Sequence, residues 1–251
     1  MATPLRQVTG NCPYNAACEG CSSRHLSLCS VLNGNDLRAF SKISTDLRRS
    51  AQQVICSEDE DADNIYNIRT GAVRISKMLS DGRRQITGFL FAGNFFGLSC
   101  KDKYSITAEA ITDVEICVFS RARIMEAFRQ FPQLGERVFD MTRTELDSTH
   151  DQMLLLGRKT AREKLCSFLL TMRKKNSPAA TPENNPENNP ENNNVDLPMS
   201  RSDIADFLGL TVETISRQFT SLHKLDLIEL DGSHRVLLKN PETLAALAQG
   251  D

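Results

Sequence analysis

The sequence predicts an α+β protein: an N-terminal Cys-rich segment and a β-roll, then one long helix, then a C-terminal winged helix-turn-helix. Three observations predict it. Between Gln53 and Ser120, short apolar runs alternate with turn residues at near-even spacing, the pattern of a small roll or sandwich. From about Leu134 to Gly157, apolar residues recur seven apart with no proline between them. Leu208 to Arg217 reads as the turn and second helix of a helical hairpin, and two short strands follow around Asp231-Gly232.

Composition narrows the function classes. The chain has 251 residues, 40% hydrophobic and 25% charged, enough for one large or two modest domains. No apolar run approaches the ~20 residues of a membrane span, and the N-terminus lacks a basic-then-apolar leader. A cytoplasmic protein without membrane partners is expected. There is no P-loop or dinucleotide glycine fingerprint, and four His are few for a metalloenzyme, so the chain reads as a non-enzyme. The net charge of −2 means that any phosphate contacts come from placed residues and not from a general basic field. The densest positive run, Arg158 to Lys175, carries seven Lys/Arg against Glu163 alone.

Residues 1–11 are expected to be a disordered start. Cys12 follows, and then Cys18, Cys21 and Cys29 in the pattern C-x2-C-x7-C. Thiolates two residues apart can turn their sulfurs to one centre, and Cys is the usual ligand of zinc and of iron–sulfur clusters. Disulfides are disfavoured in the cytosol, so such a group reads as metal or redox chemistry. Three close cysteines call for a fourth ligand from elsewhere, and spacing alone leaves a structural zinc open. His25 reads as helical surface.

A short helix is expected over Leu37 to Leu47. Strands are expected at Val54-Ile55, Ile65 to Ile68, Ala72 to Ile75, Ile86 to Phe91, Ile106 to Ala110 and Val114 to Phe119, with turns at Thr70-Gly71, Ser80 to Arg83 and Ala92-Gly93. Arg121 to Phe131 reads as a helix closed by Pro132. In the long helix Phe139, Leu146 and Met153 lie seven apart, with Thr142, Thr149 and Leu156 on the intervening seam, a weak coiled coil. An ordinary amphipathic core helix is the alternative. Lys159 to Lys175 continues helical. Pro182-Glu183-Asn184-Asn185 then repeats twice. Polar, proline-punctuated repeats cannot bury a core, so 176–194 reads as a disordered insert.

The helical hairpin carries the chemistry. Leu208 ends a helix begun near Ser200 or Arg201, Gly209 supplies the turn, and Thr211 is a good N-cap. Val212, Ile215, Phe219 and Leu222 form an apolar face. Glu213, Ser216, Arg217 and Thr220 lie on another, at i, i+3, i+4 and i+7. In a major groove Arg can bridge guanine O6 and N7, Glu can accept from cytosine N4, and Ser can bond either way. The bland alternative is an amphipathic helix with solvated charges. Beyond it, Leu227 to Leu230 and Val236 to Leu238 form the wing, and Pro241 to Gln249 a last helix.

Arg201-Ser202-Asp203-Ile204 through Thr211 to Arg217 resembles the DNA-binding domain of the CRP/FNR family of bacterial transcription regulators. Its E-x-x-S-R pattern is of the FNR type, which implies reading of a TTGAT-like half-site by Glu213, Ser216 and Arg217, with Thr211 and Thr220 beside them. Arg69-Thr70-Gly71, Gln85 to Phe89 and Phe91-Ala92-Gly93 resemble the family's cyclic-nucleotide-binding-like β-roll. Gly93 is followed by Asn94-Phe95, and Lys103-Tyr104-Ser105 lacks the family's phosphate-binding Arg. A buried phosphate would lack its partner, so no cyclic nucleotide is expected. The Cys-rich start is similar to the oxygen-sensing branch, in the wider spacing of the FnrL/FnrN type. The resemblance implies one [4Fe–4S] cluster per chain on Cys18, Cys21, Cys29 and, from a later strand, Cys117, with Cys100 the runner-up. Cys12 is then a spare, and Cys56, Cys100 and Cys166 are core or surface thiols. The long helix resembles the family's dimerisation helix, with Phe139, Leu146 and Met153 at the homodimer interface. The loop Leu79 to Arg84 lies where family members touch RNA polymerase; a solvated hairpin tip is the other reading.

The expected organisation is 1–30 cluster-binding segment, 31–132 β-roll sensor, 133–157 dimerisation helix and 158–251 winged helix-turn-helix. The expected function is an oxygen-responsive regulator that binds palindromic promoter DNA as a homodimer under control of its cluster. The alternatives are the same fold with a zinc or thiol redox sensor, or a small-ligand-binding roll in which the cysteines are incidental.

Overall fold

The computed structural model describes residues 18, 20–99, 101–176, 193–232 and 234–250. The expected disordered start at 1–11, Cys12, Cys100 and residues 177–192 of the Asn-rich insert lie outside the described residues. The chain divides into two compact units, Met1–Lys77 with Thr87–Thr144, and Met78–Ile86 with Glu145–Asp251.

In the first unit two 3-10 turns, Arg24–Leu26 and Leu28–Val31, lead into helix α1, Gly34–Ser41. The strands follow: β1 Ser44–Arg49, β2 Val54–Cys56, β3 Asn64–Thr70, β4 Val73–Met78, β5 Arg84–Leu90, β6 Phe95–Phe96, β7 Thr107–Ala110 and β8 Val114–Ser120. They form two four-stranded sheets, ordered β1-β8-β3-β6 and β2-β7-β4-β5. One expectation fails here. The helix drawn over Leu37 to Leu47 stops at Ser41, and Ser44–Arg49 is a strand laid antiparallel on β8. Its sequence, STDLRR, does not alternate apolar and polar, and its pairing partner lies seventy residues away, so no local signal marks it.

Strands β3 and β8 are buried on both faces. Tyr66, Ile68, Val114 and Ile116 point into the roll, where Phe96 and Tyr104 join them. Ile65, Cys117 and Phe119 point the other way, into a second apolar cluster with Leu28, Phe40 and residues of two further helices. Those helices are α2, Arg121–Gln130, capped by the Ser120 hydroxyl, and α3, Pro132–Arg158, which runs from the first unit into the second.

The second unit contains α4 Ala161–Asn176, β9 Asn194–Asp196, α5 Arg201–Leu208, α6 Val212–Lys224, β10 Ile228–Asp231, β11 Arg235–Leu238 and α7 Pro241–Gln249. The wing, expected as two strands, is a three-stranded sheet ordered β10-β11-β9. Asn194, assigned by sequence to the insert, already pairs with Leu237, and the next residue, Val195, is fully buried.

Candidate nucleic-acid interface and cysteine cluster

Helix α5 is fixed at both ends. Ser200 and Asp203 form a capping box, each side chain taking the other's backbone N–H, and Gly209 leaves the helix at φ +61°. Thr211 then caps α6 by accepting from the Thr214 N–H at 3.2 Å. Ile215, Phe219 and Leu222 are buried under α6, and the Arg201 guanidinium lies 3.3 Å from the Phe219 ring centroid. Val212, placed by sequence on the same face, is 39% exposed instead, since the first turn overhangs the core.

The other face of α6 presents Glu213, Ser216, Arg217 and Thr220, all exposed. A backbone N–H at its own position and the Thr211 hydroxyl, with Arg217 one turn on, hold the Glu213 carboxyl below its ordinary value. It therefore stands as a charged acceptor. Ser216 and Thr220 turn their hydroxyls back to Val212 O and Ser216 O, at 2.9 and 3.0 Å. Ser216, Arg217 and Thr220, with Ser221, Lys224 and Leu225, line an open groove along the helix. The exposed face of α6 thus carries a charged acceptor, Glu213, and a cationic donor, Arg217, one turn apart on an N-capped helix, with the Ser216 and Thr220 hydroxyls turned to its backbone.

The loop Leu79 to Arg84 ends differently from a solvated tip. Met78 and Leu79 are exposed at 59% and 53%, but Arg84 bonds the carboxylates of Asp203 at 3.0 Å and Asp206 at 2.7 Å. Gln85 reaches the Asp206 carbonyl at 2.7 Å, so the base of this hairpin is fastened to α5. Sequence could not pair residues about 120 apart.

On α3, Phe139, Leu146 and Met153 are 64%, 54% and 63% exposed, and Leu154 is 56% exposed beside them. Large apolar side chains at that exposure and spacing are unusual on a solvated helix. Thr142 and Thr149, on the intervening seam, return their hydroxyls to Val138 O and Glu145 O, each at 2.8 Å.

The six described cysteines are all free thiols. Cys18, Cys29 and Cys117, from two distant parts of the sequence, pack on one apolar cluster. Cys29 lies 3.0 Å from the Ser27 hydroxyl, and Cys21 3.4 Å from that of Ser23. Among the described residues no three potential ligands stand as an assembled metal site. The donor set nevertheless suits a thiolate-bound metal or cluster, since Cys18 and Cys29 of the N-terminal segment pack on the same apolar cluster as Cys117 of β8. Burial pushes the Cys117 thiol up, opposed by the Arg69 charge and reinforced by Asp46, Cys18 and Cys29. Burial also raises Cys29. Cys56 sits in the roll core, pushed by burial up to about 12, and Cys166 in α4 reaches about 11. His25 is exposed.

Several residues beside this cluster were not assigned to it by the sequence. Cys117 stands between Asp46 and Asn67 in the register of β1, β8 and β3. Arg69 bonds Asp46 at 3.1 Å and Glu115 at 2.6 Å. Arg137 on α3 donates to the Leu26 carbonyl at 3.0 Å, between Cys21 and Cys29. Gly93, at φ +91°, lies so close to Leu26 that a Cβ there would be 2.4 Å from the leucine Cβ.

Comparison with known proteins places this geometry. Residues 47–131 match a cyclic nucleotide-binding domain and residues 163–247 a Crp-like helix-turn-helix domain. The transcriptional activatory protein AadR of Rhodopseudomonas palustris is 39% identical, covering 92% of this chain and 95% of its own. The nitrogen fixation regulation protein FixK of Bradyrhizobium diazoefficiens is 36% identical over 94% and 95%. The transcriptional activator protein FnrL of Cereibacter sphaeroides is 33% identical over 88% and 87%. The structure of FixK2 from Bradyrhizobium japonicum superposes with a TM-score of 0.73 at 38% identity, covering 82% of this chain and 97% of that one.

Proposed function

Because the chain belongs to the CRP/FNR family of transcription regulators, we propose that it is an oxygen-responsive activator whose DNA binding is governed by a [4Fe–4S] cluster on Cys18, Cys21, Cys29 and Cys117. The observation that carries the reading is the meeting of Cys18 and Cys29 with Cys117 on one apolar cluster, although Cys117 lies 88 residues beyond Cys29 in the numbering. The relatives named as activators support the direction of regulation. No helix among the described residues is long and apolar enough to cross a membrane, and a cytoplasmic setting is part of this proposal.

When bound, the cluster supplies an oxygen-labile iron–sulfide centre. The chain's own residues convert its presence into geometry. Cys18, Cys21, Cys29 and Cys117 would hold the cluster, and through it the N-terminal segment would be tied to β8. That segment is also held by Arg137, whose bond to Leu26 O joins it to the first turns of α3. Two copies of α3 pair along Phe139, Leu146 and Met153. The Thr142 and Thr149 seam contributes little, because its hydroxyls are spent on the helix. A weak seam keeps the dimer close to balance with the monomer, which is what a switch requires. The dimer sets two α6 helices ~34 Å apart for a palindrome of TTGAT-like half-sites. Glu213, Ser216 and Arg217 read the bases. The exposed Met78 and Leu79 offer a surface for RNA polymerase. Tyr66 stacked on Phe96, with Tyr104 tilted against Tyr66, fills the roll interior with rings, which supports a roll that works without a cyclic nucleotide.

The test is an absorption spectrum with iron and sulfide analysis on anaerobically purified protein, before and after air, for the native chain and for Cys18→Ser and Cys117→Ser. The expected result is a broad visible band, about four irons per chain, lost in air and missing in both variants, with air-sensitive DNA binding lost alongside it. A colourless chain holding zinc, or variants that bind DNA as the native protein does, would refute the cluster and leave the DNA-binding assignment intact.

A further inference from the structure

Across one face of the first sheet, four residues stand in a row. Asp46 on β1 is paired with Cys117 on β8, Cys117 with Asn67 on β3, and Asn67 with Phe95 on β6. Directly paired residues of antiparallel strands project to the same side. Asn67 is 5% exposed, and its Oδ1 is buried without a hydrogen-bond partner among the described residues. A strand that is otherwise Ile65, Tyr66 and Ile68 at these positions gains nothing in packing from a carboxamide, and a buried unpaired acceptor is a cost that native cores avoid.

The neighbours show what the carboxamide is suited to do. A thiolate that ligates a metal or cluster is an acceptor only, and buried anionic sulfur calls for N–H donors. Of the two residues paired with Cys117, Asp46 has only acceptors. The Arg69 guanidinium is engaged by Asp46 and Glu115. Phe95 is apolar. Asn67 alone in that row brings N–H donors, two of them. The terminal torsion of Asn is broad and roughly two-fold, so half a turn exchanges Oδ1 for Nδ2 with no change of shape.

We propose that Asn67 is a positioning residue of the sulfur site, its carboxamide donating an N–H···S hydrogen bond to the Cys117 sulfur once that sulfur is a ligand. This rests on the iron–sulfur reading above. The bond fixes the Cys117 side chain, draws charge from the sulfur, and makes the bound state the one in which the buried carboxamide is satisfied. In the metal-free chain the same group is an unpaired polar group in a core.

The experiment uses the full chain purified anaerobically as native protein, Asn67→Leu and Asn67→Asp. Four quantities are read: iron and sulfide per chain, decay of visible absorbance in air, the midpoint potential, and the melting temperature of the iron-free chain. Asn67→Leu is expected to assemble the cluster but lose it about tenfold faster in air, the lower end of the effect of removing such an outer partner. Its potential is expected to move to more negative values. Its iron-free form should melt no lower than native, since the orphaned acceptor is gone. Asn67→Asp keeps the shape but sets a carboxylate against the sulfur, so its iron content should fall below that of the leucine variant. Native decay rate and potential in Asn67→Leu would overturn the proposal while leaving the cluster in place. So would an iron-free leucine variant melting well below native, because the carboxamide would then serve the core. A native chain that is colourless and iron-free would remove the reading beneath it, and the proposal with it.

Discussion

Gly93→Ala should release the Cys-bearing turn from the β-roll. Gly93 sits at φ +91°, and an added Cβ would stand 2.4 Å from Leu26 Cβ and 3.2 Å from its carbonyl carbon. Carbon atoms in contact lie about 3.5–4.0 Å apart, so the Leu26 backbone must retreat by about 1 Å. The left-handed backbone costs an alanine about 1–2 kcal/mol. The retreat also stretches the 3.0 Å bond from Arg137 to Leu26 O, worth about 1 kcal/mol. Together these come to about 3 kcal/mol against docking of the turn, roughly a hundredfold in its opening constant. Hydrogen exchange reads this directly at Leu26 N and Leu32 N, which bond Ser23 O and Cys29 O. Both should exchange roughly a hundredfold faster, while the β3–β8 ladder keeps its protection. A double-mutant cycle with Leu26→Gly separates the two parts of the effect, because removing the leucine Cβ relieves the overlap but not the backbone strain of the alanine at position 93. If the two changes are simply additive, the contact does not hold the turn and the reasoning fails.

Arg137→Ala removes the strut to Leu26 and should cost about 1 kcal/mol in thermal melts of the first unit, and on the proposed cluster reading iron should be lost faster in air; unchanged iron loss would detach α3 from the cysteine segment. Leu146→Glu places a charge on a side chain that is 54% exposed in the protomer. Sedimentation should show the dimer weakened roughly a hundredfold or more by an unpaired charge in an apolar seam, with the protomer's melting temperature unmoved. A dimer as tight as native would put the interface elsewhere. Arg217→Ala should lose ~1–3 kcal/mol at one guanine of the half-site and little on other sequences. An equal loss on every sequence, in competition titrations, would make Arg217 a phosphate contact.

What the sequence made legible was local. Helix α6 and its caps follow from Gly209, Thr211 and residues within one turn of them, and the structure keeps each in that role. The roll's inner strands show because β-branched and aromatic residues cluster between turn residues. Strand β1 was missed because STDLRR is held by β8 and by nothing in its own pattern. Strand β9 was missed because its single buried residue, Val195, follows a run of asparagines that reads as insert. The surroundings of Cys117 were illegible for the same reason: Asp46, Asn67 and Arg69 meet it only through register, which is set by long-range pairing. One signal was there to read. Asn67 interrupts an apolar strand, and a polar residue in a strand buried on both faces asks for a partner.

On the proposed cluster reading, the placement of Cys117 would let the N-terminal turns part from the roll while its strands stay paired. Alternation along β8 sends Val114 and Ile116 into the roll core and Cys117 and Phe119 to the cluster beneath the N-terminal turns. The two faces of one strand thus belong to two different apolar clusters. Losing whatever ties Cys18, Cys21 and Cys29 to Cys117 removes contacts on one face only. The roll keeps its ladder through β1 and β3 and its aromatic interior. The N-terminal segment keeps the Arg137 bond to Leu26 O and the packing of Leu28 and Leu32 in the apolar cluster. If the proposed cluster is the tie, that asymmetry is what a reversible response needs: one face of β8 can lose its contacts while the other keeps its own.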